Sequence, residues 1–112
     1  MYEKSRNLQD CHIAGFTYYN GLDVIHELEP GVSVNLQSEP DNPYDPDAVA
    51  IYFGEVKLGY IPRVKNNLIS NLLYFGYGDI MEARINSYNP TAGPENQYRI
   101  VVKLKDHRVI SS

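Results

Sequence analysis

Few side chains in this sequence are spaced for chemistry. Cys11 and His12 have the types of a nucleophile and its base, but they are neighbours, and adjacent residues of a strand point to opposite faces. His26 sits beside Asp23 and Glu27 on the polar side of a helical stretch, and His107 lies in the tail, so both read as solvated histidines. Asp41, Asp45 and Asp47 offer the oxygen ligands that suit calcium, yet their spacing departs from the calcium-loop pattern and lacks its turn glycine and closing glutamate. A single cysteine leaves no disulfide partner and too few thiolates for zinc. No Gly-rich phosphate cradle occurs, and no serine stands at a nucleophile elbow. The expectation is a protein that is not an enzyme, with no cofactor and no metal.

The aromatic inventory points elsewhere. Ten tyrosines stand against three phenylalanines and no tryptophan. Tyrosine packs a ring while keeping its hydroxyl wet, so some of these rings belong at a surface or groove. One of them, Tyr44, lies within EPDNPYDPDA, where three prolines and four acids surround it. That composition cannot continue a sheet ladder and predicts a stiff, shaped loop.

The elements that must position this loop are short. HIAGFTYY, from His12 to Tyr19, is aromatic and apolar and ends at Asn20-Gly21, which predicts a first strand. Leu22, Ile25 and Leu28 recur at helical spacing before Pro30-Gly31 and predict a helix of about two turns. Val32, Val34 and Leu36 alternate with polar residues as a half-buried strand ending near Ser38. AVAIYF and VKLGYI flank Gly54-Glu55 as a hairpin, Pro62 stops the pairing, and Arg63 emerges at that stop. Leu68, Ile69, Leu72, Leu73 and Phe75 predict a second helix, capped by Asn66 in front and Gly76 behind. DIMEARINSY and QYRIVVKLK predict two more strands around the loop NPTAGPEN. The expected fold is mainly β, a small closed or nearly closed barrel with two short helices at its ends, because closure removes exposed edges.

At 112 residues the chain matches one domain, with frayed ends expected at residues 1–10 and 106–112. No window approaches a membrane span and the start lacks the apolar run of a secretory signal, so the expected location is cytoplasmic. The formal charge of −4 argues against a general polyanion binder. The charge is unevenly spread, however: residues 1–55 hold two basic and ten acidic side chains, residues 56–112 eight basic and four acidic.

AGFTYYNG, DNPYDPDAVAIY and KLGYIPR, in that order, resemble the HIRAN domain signature, and the likeness extends over residues 10–105 to NLISNLL and EARI. Residues 1–9 would then be an N-terminal extension and 106–112 a tail. The resemblance implies a barrel similar to oligonucleotide-binding folds, found at the front of Swi/Snf-type DNA-dependent ATPases and as free-standing bacterial proteins, that holds the 3′ end of single-stranded DNA. It makes Tyr18 and Tyr44 the surfaces on which terminal bases rest, and Asp45 the acceptor for the 3′ hydroxyl. It makes Asn42 a shaper of the loop or a backbone contact, and Arg63 a phosphate contact. Tyr88 and Lys65 are further candidates for DNA contact. The implied setting is DNA repair or replication-fork processing, with a DNA-processing ATPase or nuclease as partner. Thr17, where the better-known DNA binders carry a basic residue, and the negative total charge leave an alternative: a protein-interaction module on the same barrel without DNA binding.

Overall fold

The computed structural model describes residues 6–93 and 97–106. Of the fraying expected at residues 1–10 and 106–112, residues 1–5 and 107–112 lie outside them, as do His107 and the last three residues of NPTAGPEN, whereas Gln9 and Asp10 belong to a strand and are not frayed.

Among the described residues six strands form one antiparallel sheet: β1 Gln9–His12, β2 Ser33–Ser38, β3 Val49–Phe53, β4 Val56–Tyr60, β5 Met81–Tyr88 and β6 Tyr98–Leu104. They lie in the order β1-β6-β5-β2-β3-β4. The sheet curls until the chain just beyond β1 meets β4, where the Ala14 and Tyr60 backbones exchange hydrogen bonds at 2.8 and 2.9 Å. The architecture is therefore the curled, mainly β one that the turn spacing predicts. Ile13, Ile51, Leu58, Ile61, Ile69, Ile85 and Ile100 fill its interior almost without solvent exposure. Each such side chain contributes about 1.5–3 kcal/mol of burial free energy. One helix, α1 at Asn67–Tyr74, turns Ile69 into that core.

Three local differences from the sequence expectations matter for the site. The first strand begins earlier and stops sooner: Leu8 donates to Val102, β1 pairs with β6, and Gly15 (φ 74°) turns the chain into a 3-10 turn at Phe16–Tyr18. The strand reading failed there because a left-handed glycine outweighs the β preference of Phe16, Tyr18 and Tyr19. The first helix is a 3-10 segment, Asn20–Glu27, broken at Val24. Asn66 precedes α1 but makes no capping bond; its side chain is spent on Asp45 instead.

Candidate nucleic-acid interface

The loop between β2 and β3 folds through a repeated local rule. Asn42 and Asp45 each precede a proline, which has no N–H, so each side chain accepts from the residue beyond it. Asn42 Oδ1 takes the Tyr44 amide at 2.9 Å and the Asp45 amide at 3.1 Å. Asp45 Oδ1 takes the Asp47 amide at 2.9 Å. Backbone bonds from Glu39 to Ala48 and from Ala48 to Asp45 close the loop's neck. The loop is thus set by its own Asx turns, with Tyr44 left projecting at its tip, 86% exposed.

This loop forms part of the wall of a cleft of about 820 Å³, within the range of small-ligand sites. The wall also includes Tyr19, Tyr60, Arg63 and Asn66. Asp45, only 16% exposed in its side chain, accepts from Asn66 Nδ2 at 2.9 Å on Oδ2, which is why Asn66 does not cap α1. The Arg63 Nε lies 3.9 Å from the same oxygen, and its side chain is 77% exposed. That contact is long and solvated, so the guanidinium remains available to an anion.

Glu39, Lys57 and Tyr60 form a second polar group at the cleft. Lys57 Nζ donates to Glu39 Oε2 at 3.0 Å and to the Tyr60 hydroxyl at 2.6 Å, and that hydroxyl donates to Glu39 Oε1 at 2.7 Å. Burial pushes the Glu39 carboxyl up, but hydrogen bonds from Tyr60, Asn42 and Lys57 outweigh it and leave the group below its ordinary range. Burial also pushes Tyr60 up, to about 12, against the pull of the Lys57 bond and with the help of Glu39. Burial alone would lower Lys57, yet the bonds to Tyr60 and Glu39 hold it above its ordinary value. The group is a cation, an anion and a neutral phenol, with no net charge.

Of the residues singled out in the sequence, Asn42, Tyr44, Asp45 and Arg63 come together in this cleft. Tyr18 is not in its wall. It is 79% exposed beside Gly15, while its neighbour Tyr19 lines the cleft and meets the Tyr60 ring at 5.7 Å. Tyr88 stands apart, stacked on Tyr98 at 4.6 Å, and Lys65 donates to the Asp10 carbonyl at 3.2 Å. Sequence reasoning missed Tyr19, Glu39, Tyr60 and Asn66. Tyr19, Tyr60 and Glu39 lie within or beside the quoted motifs, whereas nothing in the sequence couples Asn66 to Asp45.

The cleft offers the exposed Tyr44 ring beside the half-buried Tyr19 and Tyr60, the hydrogen-bonded carboxylates of Asp45 and Glu39, and the exposed Arg63 guanidinium, a set that can stack on bases and bond a sugar and a phosphate. Cys11, fully buried, has its thiol pushed up to about 11 by burial, in spite of Lys65 and Arg99 nearby, which leaves it a poor nucleophile. Among the described residues no group of three or more His, Cys, Asp or Glu is placed to hold a metal ion, and no helix is long and apolar enough to cross a membrane.

The HIRAN domain family model matches residues 7–105. In structure the chain is similar to a protein from Lactobacillus plantarum, with a TM-score of 0.69 and 22% identity over 87% of this chain and 94% of that one. It is also similar to the HIRAN domain of human HLTF, with a TM-score of 0.60 and 18% identity over 84% of this chain and 70% of that one. No curated protein matches the chain significantly.

Proposed function

This chain belongs to the HIRAN domain family, which is linked to DNA binding, and on that premise we propose that its cleft grips the 3′ end of single-stranded DNA without reacting with it. The observation that carries this reading is the Asp45 carboxylate. It is sunk in the cleft, steadied by Asn66 and its own loop, and flanked by the exposed Tyr44 ring and the Arg63 guanidinium. A carboxylate accepts a hydrogen bond from a terminal 3′ hydroxyl and repels a phosphate, so an end is told from continuous backbone by charge and donor count. Tyr44, with Tyr18 beyond the cleft, carries the terminal bases, each stack contributing about 1–3 kcal/mol whatever the base. Arg63 takes the nearest phosphate and Asn42 sets the loop. Tyr88 and Lys65, outside the cleft, would touch nucleotides further from the end. The DNA so held is a substrate for a separate motor or nuclease in repair or fork processing.

The test is fluorescence anisotropy at low salt with a short labelled single strand carrying either a 3′ hydroxyl or a 3′ phosphate. The native protein is expected to prefer the hydroxyl end and Asp45→Ala to lose that preference. Equal binding of both ends by the native protein would remove the end-reading role. No binding at low salt would favour a protein partner for the barrel.

A further inference from the structure

Lys57 is not part of the cleft wall, yet its three neighbours Tyr19, Glu39 and Tyr60 are, and Glu39 leads into the loop. Its ammonium lies beside two touching rings, 5.0 Å from the centre of Tyr19 and 4.5 Å from that of Tyr60, and is spent on Glu39 and the Tyr60 hydroxyl. Glu39 Oε1, besides taking the Tyr60 hydroxyl, takes Asn42 Nδ2 at 3.0 Å. That bond joins the two loop amides in fixing which way the Asn42 amide faces. With Nδ2 turned to the carboxylate, Oδ1 must face the amides of Tyr44 and Asp45. Flipped, Nδ2 would meet two N–H groups, donor against donor.

We propose that Lys57 is a positioning residue for the DNA-contacting loop: by anchoring Glu39 it orients the Asn42 amide and so presets Tyr44 and Asp45 before any ligand arrives. The proposal rests on the reading of the cleft as the DNA-end site. Two physical consequences point the same way. A loop already in its bound form avoids the ordering cost of association. A Glu39 stripped of its cation would be a half-buried unpaired anion beside the path of a phosphodiester, drawn out to solvent and away from Asn42. The raised affinity of Lys57 for its proton agrees with a cation that stays charged through this role.

The experiment compares the native protein, Lys57→Met, and Lys57→Met combined with Glu39→Gln. The first readout is amide hydrogen exchange by NMR on the protein alone, at Tyr44 and Asp45, with the buried β3 residue Ile51 as a gauge of overall stability. Lys57→Met is expected to speed exchange at Tyr44 and Asp45 by about tenfold relative to Ile51, the loss of roughly one good hydrogen bond. The double variant is expected to return toward native, because the amide oxygen that replaces the carboxylate would still accept from Tyr60 and Asn42 without leaving an unpaired charge. Unchanged exchange in Lys57→Met, or a double variant as fast as the single one, overturns the proposal.

The second readout is anisotropy with the 3′-hydroxyl strand. Lys57→Met is expected to bind about tenfold more weakly and the double variant to recover, in step with exchange. Native-like binding by Lys57→Met overturns the link between loop setting and DNA. Should the native protein bind no DNA, the reading of the cleft falls and this link with it, while exchange still decides whether Lys57 sets the loop.

Discussion

Tyr44→Ala separates binding from folding more cleanly than any other change in the cleft. The ring is 86% exposed, so truncation removes almost nothing from the core. The hydrogen bond that this residue gives to Asn42 comes from its backbone amide and survives the substitution. Stability should therefore change by no more than about 0.5 kcal/mol, the range of surface substitutions without a structural role. If a terminal base rests on this ring, the same change removes about 1–3 kcal/mol of stacking, a loss of about 5- to 150-fold in affinity. Anisotropy titration with a labelled 3′-hydroxyl strand, run beside urea unfolding of both proteins, measures the two quantities separately. Tyr44→Phe should keep the affinity, since stacking uses the ring and not the hydroxyl. An alanine variant with native stability and native affinity refutes the stacking role. A variant that loses affinity only because it has unfolded refutes the claim that the ring is dispensable to the fold.

Two further expectations concern the frame. A Cβ on Gly59, whose φ is 151°, would lie 2.4 Å from the Ala14 carbonyl oxygen, a backbone atom that cannot swing aside, so Gly59→Ala should cost about 1–3 kcal/mol and lower the urea midpoint. Glu39 has its carboxyl held below the ordinary 4.5, so its contribution to stability is complete above that value and is lost as pH falls through the depressed one. Unfolding curves collected downward from neutral pH should show less acid destabilisation for Glu39→Gln than for the native protein, and identical slopes would contradict the assignment.

Much of the frame was legible because hydrophobic alternation and turn residues report burial directly: β2, the β3–β4 hairpin, α1 and β6 stand where periodicity puts them. The motifs that carry the HIRAN resemblance brought Asn42, Tyr44, Asp45 and Arg63 to attention. What escaped depended on registry. Lys57 and Tyr60 are three residues apart and would occupy opposite faces of an unbroken strand. A bulge changes this: Ile51 pairs with Gly59 and Tyr52 with Lys57, leaving Leu58 as an extra residue, and the two side chains come to the same side. Asn66 was misread as a cap because sequence spacing cannot tell a local partner from one 21 residues away. Tyr19 displaced Tyr18 from the cleft wall because Gly15 converted the predicted strand into a turn and changed which ring faces inward.

The two hydrogen bonds between Ala14 and Tyr60 tie together the chain leading into Tyr19 and the strand carrying Tyr60. The cleft therefore resembles a vice with one welded jaw: the two-tyrosine side is part of the barrel's closure and cannot retreat without opening the sheet. Accommodation of a bulkier ligand would then fall to the segment 39–47, itself tied to Tyr60 through Glu39, where Pro40, Pro43 and Pro46 restrict the backbone to few conformations. On the proposed reading such a vice would have little travel and would sort ligands by fit at the moment of entry, not by wrapping around them afterwards.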